Sequence, residues 1–320
     1  MLKKMSIRKI IVSSLALFTL LLINLIPDKE QVASYSLPTN KIEYEYNNAK
    51  EVIYTLDTNN YIARVLINGY NCNTEEKVEN ILNTLIIDGK NKDEMPNGFR
   101  GILPVGTEII NLSLKDKILT INFSKELLDV NEEYEEKMIE SIVYTLTSID
   151  GIDKITIKVE GQNLERLPKS GKIINKELDK SYGINKTYNI NSPNNINSYI
   201  VYYVSKYNDN EYYVPVTKYV NNEKLDKIKV IINELSTSPI YENNLMSYLN
   251  KETNLINYNL ENDKLILNFD NTIYTNNSNK ILEEVIYTIS LSVTDNYNIK
   301  EVIFEVNNKE IYKKSTKTIE

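Results

Sequence analysis

The chain has 320 residues, 37 basic and 44 acidic side chains, a formal net charge of −7, one cysteine, and neither histidine nor tryptophan. Without histidine it cannot build a Ser-His-Asp or Cys-His site or offer imidazole to zinc, and it lacks the usual near-neutral general base. One cysteine allows no internal disulfide and no thiolate cluster, and the acidic excess argues against nucleic acid, whose phosphates need a basic face.

Nine glycines and eight prolines are too few for a collagenous or proline-rich chain. Asparagine, at about 14 % of residues, and the 24 tyrosines are read as genome composition rather than as function. Hydrophobic residues make up 42 %, enough for packed cores. The length suits two domains of roughly 100–150 residues.

Residues 1–27 read as a targeting segment. Lys3, Lys4, Arg8 and Lys9 form a positive flank. The run Ile10–Ile26 carries no charge and is ended by Pro27 and Asp28. Such a segment is an uncleaved membrane anchor or, alternatively, a cleaved signal peptide. The flank would hold the N-terminus inside and place everything after Pro27 outside the cytoplasm. No cysteine stands at the end of the apolar run, so a lipid anchor is not expected. Residues 28–46 read as a polar stalk.

The remainder reads as a degenerate repeat. Apolar stretches at Val52–Leu56 and Ile62–Ile67 precede an amphipathic helix with the stripe Val78, Ile81, Leu82, Leu85 and Ile86. Asn73 is its expected N-cap, with Glu76 at the reciprocal position. A hairpin follows, with Ile110, Leu112 and Leu114, a Lys115-Asp116-Lys117 turn, then Leu119, Ile121 and Phe123. A second helix carries Ile139, Ile142, Val143 and Leu146, and a strand carries Ile155, Ile157 and Val159.

The same order returns downstream. Strands are expected at Ile200–Val204 and Tyr212–Val216, then a helix at Leu225–Ser236. Ile256, Tyr258, Leu260, Leu265, Leu267 and Phe269 repeat the hairpin at a constant offset of 146 residues, around an Glu261-Asn262-Asp263 turn. Leu282, Val285, Ile286 and Ile289 repeat the second helix at an offset of 143, which pairs Tyr144-Thr145 with Tyr287-Thr288. Val302, Phe304 and Val306 repeat the last strand at an offset of 147, with four extra residues expected around Asp295–Asn298. The expected fold is α+β: two tandem copies of a small domain, ordered β-β-α-β-β-α-β, each an antiparallel or mixed sheet with two helices on one face. The copies span 47–167 and 198–312, joined by a linker at 168–197. Residues 313–320 read as a charged, frayed tail.

The run Ser141–Gly161 resembles the C-terminal half of a GerM domain, with its Tyr-Thr-Leu-Thr helix, glycine turn and strand ending in glycine. Leu103–Thr107 resembles the family's Pro-x-Gly-Thr segment, and Ile121–Ser124 its strand end. In the second copy Leu235–Pro239 resembles the family's helix exit, with serine in place of glycine. Thr253 stands where the first copy has Thr107, but the Pro-x-Gly before it is lost. The resemblance covers about 240 residues as a tandem pair. It implies an extracytoplasmic, membrane-attached protein of sporulation or germination. The fold it implies is like that of ring-building motifs, used for protein–protein assembly, with no defined catalytic residues.

The candidate chemistry is thin. The pairs Tyr144-Thr145 and Tyr287-Thr288 read as helix packing, the threonine bonding a carbonyl one turn back. Pro104-Val105-Gly106-Thr107 reads as a turn into the hairpin, with a binding rim as the alternative. Glu132, Glu133, Glu135 and Glu136 could serve glycoside hydrolysis as paired carboxylates, but read as a solvent-facing first helical turn. The Asn-rich stretch 270–279 lacks a calcium-loop frame. Cys72 reads as incidental, and Lys313, Lys314 and Lys317 as a solvated tail. No catalytic, cofactor or metal residue is therefore assigned.

Two functions remain. One is a non-catalytic assembly protein whose partners are other envelope or sporulation proteins, or itself. The other is a binding module for a wall polymer such as peptidoglycan, or a small solute. An exposed cluster of Tyr202, Tyr203, Tyr212 and Tyr213 would favour the second.

Overall fold

The structure, a computed structural model, describes residues 50–237, 244–274, 280–297 and 299–315. The expected anchor Ile10–Ile26, the stalk at 28–46, the Ser238-Pro239 helix exit and Lys317 lie outside the described residues.

The first copy opens with β1 (Lys50–Asp57) and β2 (Ile62–Asn68), an antiparallel hairpin. Next comes α1 (Thr74–Leu85), where Asn73 caps as expected, its side chain accepting from the Glu76 amide at 3.0 Å. A two-residue strand β3 (Phe99–Arg100) pairs with β1. β4 (Ile109–Lys115) and β5 (Ile118–Phe123) form the expected hairpin, with Asp116 and Lys117 at positive φ in a two-residue turn. Then follow α2 (Glu135–Leu146), β6 (Lys154–Val159) and β7 (Gln162–Asn163). The connecting segment holds β8 (Thr187–Asn189).

The second copy repeats the order. It has β9 (Ile196–Tyr207), β10 (Asn210–Asn221), α3 (Lys227–Thr237), β11 (Leu255–Glu261), β12 (Lys264–Phe269), α4 (Glu283–Tyr297), β13 (Glu301–Val306) and β14 (Lys309–Ser315). Lys313 and Lys314, expected in a frayed tail, lie in β14 instead. Lys313 pairs with Glu301 at 2.7 Å, and the buried Lys314 ammonium donates to the Tyr287 hydroxyl at 3.0 Å.

The α+β class and the tandem organisation are as expected, and the pairing adds detail. Each copy, expected to hold a single sheet, instead divides its strands between two. The hairpin, crossover helix and last strand give β4-β5-β6-β7 in one copy and β11-β12-β13-β14 in the other. In both, the central pair is parallel, because a helix carries the chain across between its strands. Leu119, Ile121 and Phe123 lie opposite Ile155, Ile157 and Val159, and Leu265, Leu267 and Phe269 opposite Val302, Phe304 and Val306. All twelve are buried, so the repeated positions on these central strands are core.

The opening hairpins of both copies join one six-stranded sheet, ordered β3-β1-β2-β10-β8. β9 lines one whole edge of β10, so β2 and β8 share the other. The expected linker is thus an ordered strap: β8 is sheet, the Leu178 backbone pairs with Ile155 at 2.8 and 2.9 Å, and Ile174, Leu178 and Ile184 are buried.

Two further expectations are corrected. Strict alternation would bury Ile110, Ile256 and Leu260, but they are 50 %, 46 % and 41 % exposed. The register of β4 skips between Ile109 and Asn111, and that of β11 between Leu255 and Asn257. Each isoleucine is the extra residue of a β-bulge, which turns its side chain outward. The second correction concerns the helices. The Tyr54 amide donates to Thr145 Oγ1 at 2.8 Å, and the Tyr202 amide donates to Ser292 Oγ at 2.8 Å. The counterpart of Thr145 is therefore Ser292, an offset of 147, and not Thr288. A slip of four residues is about one helical turn and leaves the apolar stripe on the same face, so periodicity alone could not detect it.

Candidate functional site

The acidic cluster does not face solvent as a group. Glu132 and Glu133 are exposed, but Glu135 is buried and accepts from the Ser170 amide at 3.0 Å and from the Lys169 amide. Burial pushes the Glu135 carboxyl up, yet hydrogen bonds from Ser170 and Lys169 outweigh it and hold the group below its ordinary value. Glu136 pairs with Lys172. The cluster fastens the strap to α2.

The strap fastens the copies to each other. Tyr54 and Tyr202 meet hydroxyl to hydroxyl at 2.8 Å. Tyr202 gives its own proton to Asp295 Oδ2 at 2.6 Å, so Tyr54 donates between them. Asp295 Oδ1 takes the Lys180 ammonium at 2.7 Å, while the Lys180 carbonyl accepts from the Tyr144 hydroxyl at 2.9 Å. Burial, reinforced by the Asp295 charge, raises both Tyr144 and Tyr202 far above their ordinary range, so these phenols stay protonated. Burial pulls Lys180 down, and Asp295 more than restores it.

Asn185 bonds both sides of the junction. Its Oδ1 accepts from the Ile62 amide at 2.9 Å, and its Nδ2 donates to the Ile62 and Pro215 carbonyls at 2.8 and 2.7 Å. The adjacent Lys186 pairs at 3.1 Å with Glu140, both side chains being almost wholly buried. Burial raises Glu140, and Lys186 opposes the rise. Across the sheet, Tyr212 donates to Asp57 Oδ2 at 2.8 Å. Tyr202, Tyr203 and Tyr212 are therefore core and junction residues, and Tyr213 is half-buried. The exposed tyrosine cluster that would favour sugar stacking is not formed. Among the described residues, no group of three or more His, Cys, Asp or Glu is placed to hold a metal ion. Cys72 is a free, half-buried thiol.

One candidate leads to an open surface. Pro104–Thr107 is a tight turn, closed by the Thr107 amide on the Pro104 carbonyl at 3.2 Å and by Thr107 Oγ1 on the same oxygen at 2.7 Å. Gly106 takes φ 77°, which a type II turn requires at its third position. In the second copy the Thr253 amide closes on Asn250 at 3.0 Å without positive φ at Glu252, so the turn survives the loss of glycine by changing type. In the first copy the turn rims a groove of about 440 Å³, lined by Leu56, Ile87, Arg100, Pro104, Val105 and Tyr134, among others. A second groove of about 390 Å³ shares Ile87, Arg100 and Gly101. Gly101 is required here, because a Cβ would stand 2.7 Å from the Leu85 carbonyl oxygen. Sequence reasoning passed over Arg100. The available signal was its rarity, as one of four arginines among 37 basic residues.

Comparison with known proteins places this geometry. The model of the Germane family, described as sporulation and spore germination, matches residues 44–165 and 200–312. The chain belongs to the Germane family. It is 29 % identical over 276 residues to the spore germination protein GerM of Bacillus subtilis (strain 168), covering 85 % of this chain and 75 % of that protein. It also superposes on the solved tandem GerMN domains of the sporulation protein GerM from Bacillus subtilis with a TM-score of 0.75 and 29 % identity, covering 82 % of this chain and 92 % of that one. The Germane homology supports a role in sporulation or germination, and each copy is a GerM-type domain.

Proposed function

We propose that the chain is a non-catalytic assembly protein of sporulation or germination, attached to a membrane through Ile10–Ile26 with the tandem domains outside the cytoplasm. Its partners are other envelope or sporulation proteins, or further copies of itself. The observation that carries the reading is the use made of the buried ionisable groups. The buried Asp57 accepts from Tyr212 of the other copy, the part-buried Lys180 of the strap pairs with Asp295 of the second copy, and the buried Glu140 of the first copy pairs with Lys186 of the strap. Such a pair of fused domains presents fixed surfaces instead of reacting groups. The wall-polymer alternative was tied to an exposed cluster of Tyr202, Tyr203, Tyr212 and Tyr213, and the first three of these are buried.

The test is a strain lacking the chain, scored for spore yield and for germination. A defect in either, restored by the wild-type chain, is expected. Normal sporulation and normal germination would overturn the process assignment. Release of soluble fragments from purified wall by the isolated protein would overturn the non-catalytic reading.

A further inference from the structure

The groove under the Pro104–Thr107 turn has an apolar rim at Ile87, Pro104 and Val105, polar side chains at Asp129, Asn131 and Tyr134, and a cation, Arg100. Val105 is 59 % exposed and Ile87 51 % exposed, and both line it. The Arg100 guanidinium donates to Asn60 Oδ1 at 3.2 Å and to the Tyr134 hydroxyl at 3.1 Å, and lies over the Tyr134 ring. These partners orient it without cancelling its charge. Among the described residues no carboxylate lies within ion-pair distance of it. Lys137 donates to the Asn60 carbonyl, and its charge is offset by Glu140, Asp57 and Glu133.

The second copy supplies an internal comparison. Arg100 pairs with Leu56 in the sheet, and Met246 bridges Val204, the position 148 residues after Leu56. Met246 is thus the counterpart of Arg100, and the rim Pro104-Val105-Gly106 becomes Asn250-Lys251-Glu252. The fold is kept, while the guanidinium and the apolar rim are confined to the first copy. The shared framework therefore does not need them.

We propose that this groove is a docking site for an extended peptide segment of a partner protein, bearing one carboxylate flanked by apolar side chains. The carboxylate takes a charge-assisted hydrogen bond from Arg100 Nη1, because Nη2 already serves Asn60 and Tyr134. A neighbouring apolar side chain enters between Ile87, Pro104 and Val105. Asp129, also on the lining, disfavours a polyacidic segment. The proposal rests on the assembly reading, for which it names the recognised chemistry.

The test is fluorescence anisotropy with the purified full chain in detergent and a labelled pentapeptide of leucine and serine around a single aspartate. Matched peptides carry asparagine, lysine or three aspartates instead. The single-aspartate peptide is expected to bind at least tenfold more tightly than the other three, and more weakly as salt rises. Arg100→Gln, at an exposed side chain, is expected to remove that preference without moving the unfolding midpoint, and Val105→Asp to weaken binding further. Equal binding of the asparagine peptide, an unchanged preference in Arg100→Gln, or equal competition by free acetate would overturn the proposal. The two readings fail separately. If wild-type chain captures protein partners from sporulating cells and Arg100→Gln captures the same set, only the groove is refuted. If wild-type chain captures none while the peptide binds as expected, the assembly reading fails.

Discussion

Asp57 is 1 % exposed and accepts three hydrogen bonds: the Asn59 and Tyr61 amides at 2.8 Å each on Oδ1, and Tyr212 at 2.8 Å on Oδ2. Burial still dominates and raises its pKa above the ordinary 3.8, the hydrogen bonds opposing the rise. The linkage sign follows. The folded state takes up this proton more readily than the unfolded chain does, so the contribution is fully present below pH 3.8 and is lost as pH rises through the folded pKa. Asp57→Asn is expected to cost about 1–3 kcal/mol at neutral pH through a weakened Tyr212 bond. The deficit relative to wild type should widen as pH falls toward the ordinary carboxylate range. Urea unfolding of both proteins at several pH values between neutrality and pH 4 measures this, and a deficit that shrinks on acidification would contradict it.

At the scale of elements, the repeated bulge makes a separate claim. Ile110→Ser is expected to change stability by no more than about 0.5 kcal/mol, as at an ordinary surface site. Ile121→Ala, at a side chain with no exposure, should cost about 2–5 kcal/mol. Denaturant melts of the two variants decide it, and a core-sized cost at Ile110 would mean that alternation holds after all. The helices and hairpins were legible in the sequence because their stripes follow fixed periods and their turns use residues suited to positive φ, such as Asp116 and Asn262. The bulges at Ile110 and Ile256 were not, because one inserted residue leaves the apolar composition of a strand unchanged. The pairing of Thr145 with Ser292 was hidden by the near-equivalence of positions four apart on a helix. The strand expected at Ile200–Val204 left the exposure of Tyr202 and Tyr203 open. Seven consecutive residues of β9 are buried, so it is covered on both faces. Arg100 lay in a stretch without periodicity, where a sequence carries no spatial information.

At the scale of the molecule, the expected linker proves to be part of the body. β8 pairs with β10, Asn185 bonds both copies, and Lys180 reaches Asp295 of the second copy. Two domains sharing a sheet and a buried polar junction should unfold together. Calorimetry is expected to show one transition, with the calorimetric and van't Hoff enthalpies equal. Asn185→Ala should lower its midpoint, the stability falling by about 1–3 kcal/mol for the polar groups left unpaired. Two separated transitions would mean that the copies are independent beads on a string. A fused pair with fixed surfaces suits assembly, and that claim has a direct measurement. The tagged full chain is captured from sporulating cells, with and without prior wall digestion, and the proteins retained with it are identified. The same protein partners should survive digestion. Retention on purified wall alone, with all partners lost on digestion, would contradict the assembly account.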